Sequence, residues 1–118
     1  MIHGIFDSHA HYDDARFNED RDALLASLPE QGVCGVIDVG CDLESSRKAV
    51  ALAEKYPYIW AAVGYHPEQA ALRTDEGMAE LRRLLTHPKV VAIGEIGLDY
   101  YWPEPDHDTQ KRVLIKQL

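Results

Sequence analysis

Cysteine is scarce in this chain. Cys34 and Cys41 are the two in 118 residues, and no CxxC spacing joins them. That excludes a disulfide framework and a zinc knuckle and predicts reduced, mostly buried thiols. Long apolar runs are also missing. No stretch approaches the roughly 18 residues of a membrane span, so no membrane partner is expected. Met1-Ile2-His3-Gly4-Ile5 carries no basic segment followed by an apolar core. A secretory signal is therefore not expected, and the cytoplasm is the predicted location. Basic charge is short as well, with 12 Lys and Arg against 20 Asp and Glu and a net charge of -8. This argues against a broad basic surface that holds nucleic acid by counterion release. A phosphate-bearing substrate stays compatible, because bound divalent cations reverse the local field of an acidic pocket. Walker A, GxGxxG and GxSxG patterns are all absent, and Gly94-Glu95-Ile96-Gly97 has the wrong spacing for a nucleotide loop.

What is present is a regular alternation. Hydrophobic content of 46% and charged content of 27% are those of a globular domain. Residues 1–6 are mostly apolar and predict a first strand that ends in Asp7. Residues 18–31 show helical spacing, with Gly32 as the stop and Pro29 disturbing the last turn. Residues 33–39 form a short apolar run bounded by glycines, which is the pattern of a buried strand. Asp42 caps a second helix, in which Ser45 and Ser46 are neutral; Tyr56-Pro57 ends it. A third strand is expected over 58–64, a loop over 65–68, and a third helix over 76–86 capped by Thr74 or Asp75. A fourth strand covers 89–94 and a fourth helix 107–118.

The order β-α-β-α-β-α-β-α with uniformly apolar strands predicts a parallel sheet with helices outside it. Four such units are half of a (β/α)8 barrel, which takes about 250 residues. The expected fold class is therefore α/β, a TIM-type (β/α)8 barrel of which residues 1–118 cover the first four βα units. A half-barrel that pairs with a second copy and a small doubly wound sheet are the alternatives, and the fragment is favoured over both.

In parallel α/β folds the sites lie at the carboxyl ends of the strands. The first strand leads into Asp7, His9 and His11. Residues two apart in an extended chain point to one side, so His9 and His11 can aim two imidazoles at one cation. Zinc, manganese, iron or magnesium would suit such a set once carboxylates join it. Asp7 is expected to orient a histidine or shape the turn rather than to bind metal. Glu95, flanked by Gly94 and Gly97, is either an exposed acid or a carboxylate bridging two metals, with the glycines letting the backbone pass close. Alongside His9 and His11, the ligand role is favoured. His66 in Gly64-Tyr65-His66-Pro67 is expected to contact a substrate phosphate or leaving group. Asp99 is open between turn residue, supporting group and substrate contact. Asp38 and Asp42 are expected as turn and cap residues, and His3, His87 and His107 as surface residues. Tyr100, Tyr101 and Trp102 could stack on a base or sugar, or simply pack at the rim.

Phe6-Asp7-Ser8-His9-Ala10-His11, Gly64-Tyr65-His66-Pro67 and Gly94-Glu95-Ile96-Gly97-Leu98-Asp99-Tyr100, in this order and spacing, resemble the N-terminal half of the TatD family of metal-dependent hydrolases and deoxyribonucleases. The third motif is the most specific of the three. The resemblance implies that residues 1–118 are the N-terminal half of a single barrel domain. It implies that His9 and His11 bind one divalent metal, that Glu95 bridges two, and that His66 lies in the substrate pocket, with Glu95 and His66 as catalytic residues. It further implies two divalent ions (Mg, Mn or Zn), DNA as substrate, and phosphodiester hydrolysis by metal-activated water. Family members supply further ligands from the second half of the barrel, so His9, His11 and Glu95 are too few for two ions. Two other functions stay open. One is an amidohydrolase- or phosphatase-type barrel acting on a small molecule. The other is a non-catalytic half-barrel that self-associates through its exposed sheet face.

Overall fold

The computed structural model describes residues 2–118. Its four strands are β1 (Ile5–Ala10), β2 (Val33–Val39), β3 (Ile59–Val63) and β4 (Val90–Ile93). They form one parallel sheet in the order β1-β2-β3-β4. Helices α1 (Arg21–Ser27), α2 (Leu43–Lys55), α3 (Asp75–Leu84) and α4 (His107–Gln117) alternate with the strands. Strand order that follows chain order without reversal has no topological switch point, which separates this fold from a doubly wound sheet and matches an arc of a (β/α)8 barrel.

The helices cover one face of the sheet. Val36 of β2 and Ile59, Ala61 and Val63 of β3 meet Leu25 of α1, Ala49, Val50 and Ala53 of α2, Met78 and Leu81 of α3, and Val113 of α4 in one buried cluster. The other face is bare. Phe6, Ile37, Trp60 and Val91 line a shallow apolar groove there, with Phe6 stacked on Trp60 at 6.1 Å. In a closed barrel this face is the interior.

Local chemistry explains most element boundaries. Asp42 Oδ1 accepts the Ser45 N–H at 2.8 Å, and Ser45 Oγ accepts the Asp42 N–H at 3.0 Å. Ser45, expected to be neutral, thus completes a capping box at the start of α2. Thr74 caps α3 through the Gly77 N–H. Gly32 stops the preceding turn in the left-handed region at φ 99°.

Several expectations change. The first strand begins at Ile5 and runs past Asp7 to Ala10, so His9 is part of the strand. The helix over 18–31 shrinks to α1 followed by a 3-10 turn at Pro29–Gln31, and the connection before it holds a 3-10 turn at Ala15–Phe17. Pro29 has no N–H to continue the α-helical ladder. The loop after β3 winds into a 3-10 helix over Pro67–Leu72. Cys34 is exposed rather than buried. His87 is fixed, with Nε2 3.2 Å from Glu54 and Nδ1 accepting the Lys89 N–H. His107 stays exposed as expected and stacks on Tyr100 at 3.7 Å. Among the described residues no helix is long and apolar enough to cross a membrane.

Candidate metal centre

The carboxyl ends of three strands bring four side chains together. His9 and His11 come from β1 and the residue after it. The pairing of β1 with β2 is irregular between Asp7 and Ala10, and such irregularities re-aim side chains at strand ends. Asp7 Oδ1 accepts the His9 N–H at 3.2 Å, so Asp7 shapes this turn of backbone. His11 Nδ1–H donates to the Val39 carbonyl at 2.8 Å. The neutral ring therefore keeps its lone pair at Nε2. That Nε2 lies 3.2 Å from His9 Nε2.

Glu95 follows β4. Its N–H donates to Gly40 O at 2.8 Å, and the Gly94 N–H donates to Val63 O at 3.0 Å. The Gly94–Glu95 peptide is cis. Glu95 Oε2 lies 3.2 Å from His9 Nε2 and 3.7 Å from His11 Nε2. Two donors on one tetrahedral zinc, each about 2.1 Å from the metal, stand roughly 3.4 Å apart. The three separations here bracket that value. A cation at the centre of two ring nitrogens and a carboxylate oxygen so close together would satisfy all three. His9, His11 and Glu95 thus fit a divalent ion by both donor type and spacing.

The second oxygen of Glu95 faces elsewhere. Oε1 lies 3.4 Å from His66 Nε2. His66 Nδ1 accepts the Glu68 N–H at 3.0 Å, so its neutral ring carries the proton at Nε2. His11 and His66 therefore present opposite chemistry to the same carboxylate, a lone pair from one and an N–H from the other. The close backbone approach belongs to Gly64 rather than Gly94. A Cβ on Gly64 would lie 3.1 Å from Gly94 C and from Gln117 Oε1, whereas one on Gly94 would make ordinary contact with Ala62 at 3.7 Å. Gly97 is required by its φ of 141°.

Beneath the centre, β2 carries a carboxyl inside the core. Asp38 is fully buried and is a strand residue, not the expected turn residue. Its Oδ1 accepts the Tyr12 N–H at 2.6 Å, one residue beyond His11. Burial, then the hydrogen bond and charge of Asp13, push Asp38 up to about 9. Burial and the neighbouring Asp13 carboxyl thus favour the neutral acid form of Asp38. Cys41 lies close by, and burial followed by the Glu95 charge pushes its thiol up to about 11. It is an inert thiol at neutral pH.

Asp99 is a turn residue, with Oδ1 accepting the Tyr101 N–H at 3.1 Å. Tyr101 and Trp102 pack edge to face at 4.7 Å and stay exposed. Asp42 caps α2 as expected. Sequence reasoning missed Asp38, Gln110 and Gln117. For Asp38 a signal existed, since it alternates with Val36 on the buried side of an apolar strand. The two glutamines carry no comparable pattern.

A family model described as TatD related DNase matches residues 6–118. An uncharacterized metal-dependent hydrolase YabD of Bacillus subtilis is 37% identical over 114 residues, covering 97% of this chain and 45% of that protein. A 3'-5' ssDNA/RNA exonuclease TatD of Musicola paradisiaca is 38% identical over 115 residues, covering 97% of this chain and 44% of that protein. The crystal structure of YJJV, a TatD homolog from Escherichia coli, superposes with a TM-score of 0.86 at 34% identity, covering 96% of this chain and 44% of that one. The chain thus spans a little under half the length of these relatives.

Proposed function

Because the chain belongs to the TatD-related DNase family, we propose that its 118 residues form the first half of a single metal-dependent hydrolase barrel that cleaves phosphodiester bonds in nucleic acid, single-stranded DNA foremost. The observation that carries this is the divided Glu95 carboxylate. One oxygen faces His9 and His11, and the other faces His66. A carboxylate whose two oxygens serve different neighbours is what a ligand between two ions requires. His9, His11 and Glu95 would hold a first divalent ion, Mg, Mn or Zn. Glu95 would also contribute to a second, whose remaining donors are not among these three residues. Relatives named 3'-5' ssDNA/RNA exonuclease TatD support the substrate class.

When bound, divalent ions polarise a phosphoryl oxygen and make water acidic enough to act as a nucleophile near neutral pH. The side chains of this chain do the rest. His11 is locked by the Val39 carbonyl with its lone pair outward. Glu95 is held by the Gly40 carbonyl at the level of both histidines. His66 holds a proton at Nε2, so it donates a hydrogen bond to a phosphate oxygen or the departing oxygen. The acidic net charge leaves phosphate attraction to the ions rather than to a basic surface. The same proposal sets the protein in the cytoplasm and expects the chain by itself to associate through its bare apolar sheet face.

The test is hydrolysis of a labelled single-stranded oligonucleotide by a form carrying the whole barrel, with Mg or Mn and with chelator. Activity is expected with either ion and lost with chelator, and hydrolysis that survives chelator overturns the proposal. Calorimetric titration of the 118-residue chain with Mn checks the first ion separately, with His9→Ala removing the binding.

A further inference from the structure

Helix α4 buries an unexpected face. Gln110 and Gln117 are 1% and 6% exposed, whereas Ile115 is 70% exposed. A buried amide is unfavourable unless its donors and acceptor find partners. Both glutamines find them on backbone groups of the rim, Gln117 on Tyr65 and Gln110 on Asp99 and Pro105. Gln117 Oε1 accepts the Tyr65 N–H at 2.6 Å, and its Nε2 donates to the Tyr65 carbonyl at 3.2 Å. Gln110 Oε1 accepts the Asp99 N–H at 2.7 Å, and its Nε2 donates to the Asp99 and Pro105 carbonyls at 2.8 and 2.9 Å. Each side chain thus grips a peptide segment as a neighbouring strand would. Seven residues separate the two glutamines, two turns of helix, so they share a face about 10 Å apart along the axis.

The gripped residues adjoin the metal centre. Tyr65 precedes His66, and Asp99 lies in the loop that Glu95 opens. The neighbours of Tyr65 are held by other elements. Ser46 Oγ accepts the Gly64 N–H at 3.1 Å, and Cys41 O accepts the His66 N–H at 2.8 Å. Both backbone groups of Tyr65 go to Gln117. Gly64 admits this approach, since a Cβ there would lie 3.1 Å from Gln117 Oε1.

We propose that Gln117 is a positioning residue that sets where His66 presents its Nε2–H, with Gln110 doing the same for the loop after Glu95, so that α4 braces the rim of the site. The functional meaning rests on His66 contacting substrate, as proposed above, but the positioning itself is measurable without substrate.

The experiment is 15N NMR of the histidine rings in the metal-free 118-residue chain, well below its unfolding temperature. Gln117→Leu removes both bonds. Gln117→Glu keeps an acceptor for the Tyr65 N–H and sets an oxygen against the Tyr65 carbonyl, and it serves where the leucine variant does not fold. In either variant the His66 Nδ1 signal is expected to leave its unprotonated position and move toward the average of the two tautomers, while His11 is unchanged. Gln110→Leu is expected to leave His66 unchanged. An unmoved His66 ring in a folded Gln117 variant overturns the proposal. A joint movement of His66 and His11 overturns it too, since that is general loosening. Oligonucleotide hydrolysis is assayed separately. Its loss in the unmutated protein counts against the nuclease proposal and leaves the ring result standing.

Discussion

Asp38→Asn should stabilise this protein at neutral pH, and the gain should grow as pH rises. Asp38 is buried without solvent contact, with Oδ1 tied to the Tyr12 N–H and the Asp13 carboxyl close beside it. Its native value near 9 lies far above the 3.8 of an exposed aspartate. A raised native value means that the folded state holds a proton the unfolded state has released. Stability from this group is then full below about pH 4 and declines until the native value is passed. Each pH unit inside that window removes roughly 1.4 kcal/mol. Between pH 5 and 7 the decline is about 3 kcal/mol, a large share of the roughly 5–15 kcal/mol that holds a domain together. Asparagine keeps an oxygen for Tyr12 and an N–H for Asp13 and has no proton to lose. Urea denaturation of both proteins at pH 5, 6, 7 and 8 gives the difference profile, from which the histidines common to both cancel. The variant should overtake the parent by about 3 kcal/mol more at pH 7 than at pH 5. Parallel profiles, within about 1 kcal/mol of one another, would refute the assignment of a neutral Asp38.

Other perturbations separate the parts of the site. Glu95→Gln removes the negative charge shared by three histidines, and calorimetry should show Mn affinity falling more than about tenfold. His66→Ala removes a proton donor but no ligand of the first ion. Its kcat on an oligonucleotide should fall by about 10²-fold or more, while Mn affinity measured on the same sample holds. Asp42→Ala breaks the capping box of α2, and denaturant midpoints should report a loss of about 1 kcal/mol with the metal affinity unaltered.

Much of the fold was legible along the chain. Strand β2 occupies residues 33–39 as its glycine-bounded apolar run indicated, and α2 lies between Asp42 and Tyr56-Pro57 as its cap and stop required. These are local signals, and local sterics and capping decide them. The boundaries that moved were set by pairing. β1 extends to Ala10 because its polar end finds partners on β2, up to Ala10 opposite Asp38, and no residue of β1 announces that. The helix over 18–31 broke where Pro29 withdrew a donor, which the sequence marked without saying how many turns would be lost.

The site shows the same division. The residue types and their order, His9-x-His11, His66 and Glu95, are properties of the sequence, because donor chemistry travels with the side chain and an extended backbone puts alternate residues on one side. Distances between strands are not in the sequence. Only the pairing of four parallel strands brings a carboxylate 84 residues from His11 to within 3.7 Å of its ring, and only the carbonyl of Val39 and the N–H of Glu68 decide which ring nitrogen keeps the proton. Asp38 and the two glutamines of α4 belong wholly to the tertiary structure. A carboxyl becomes neutral, and an amide becomes a brace, through burial and through the partners that folding sets against them.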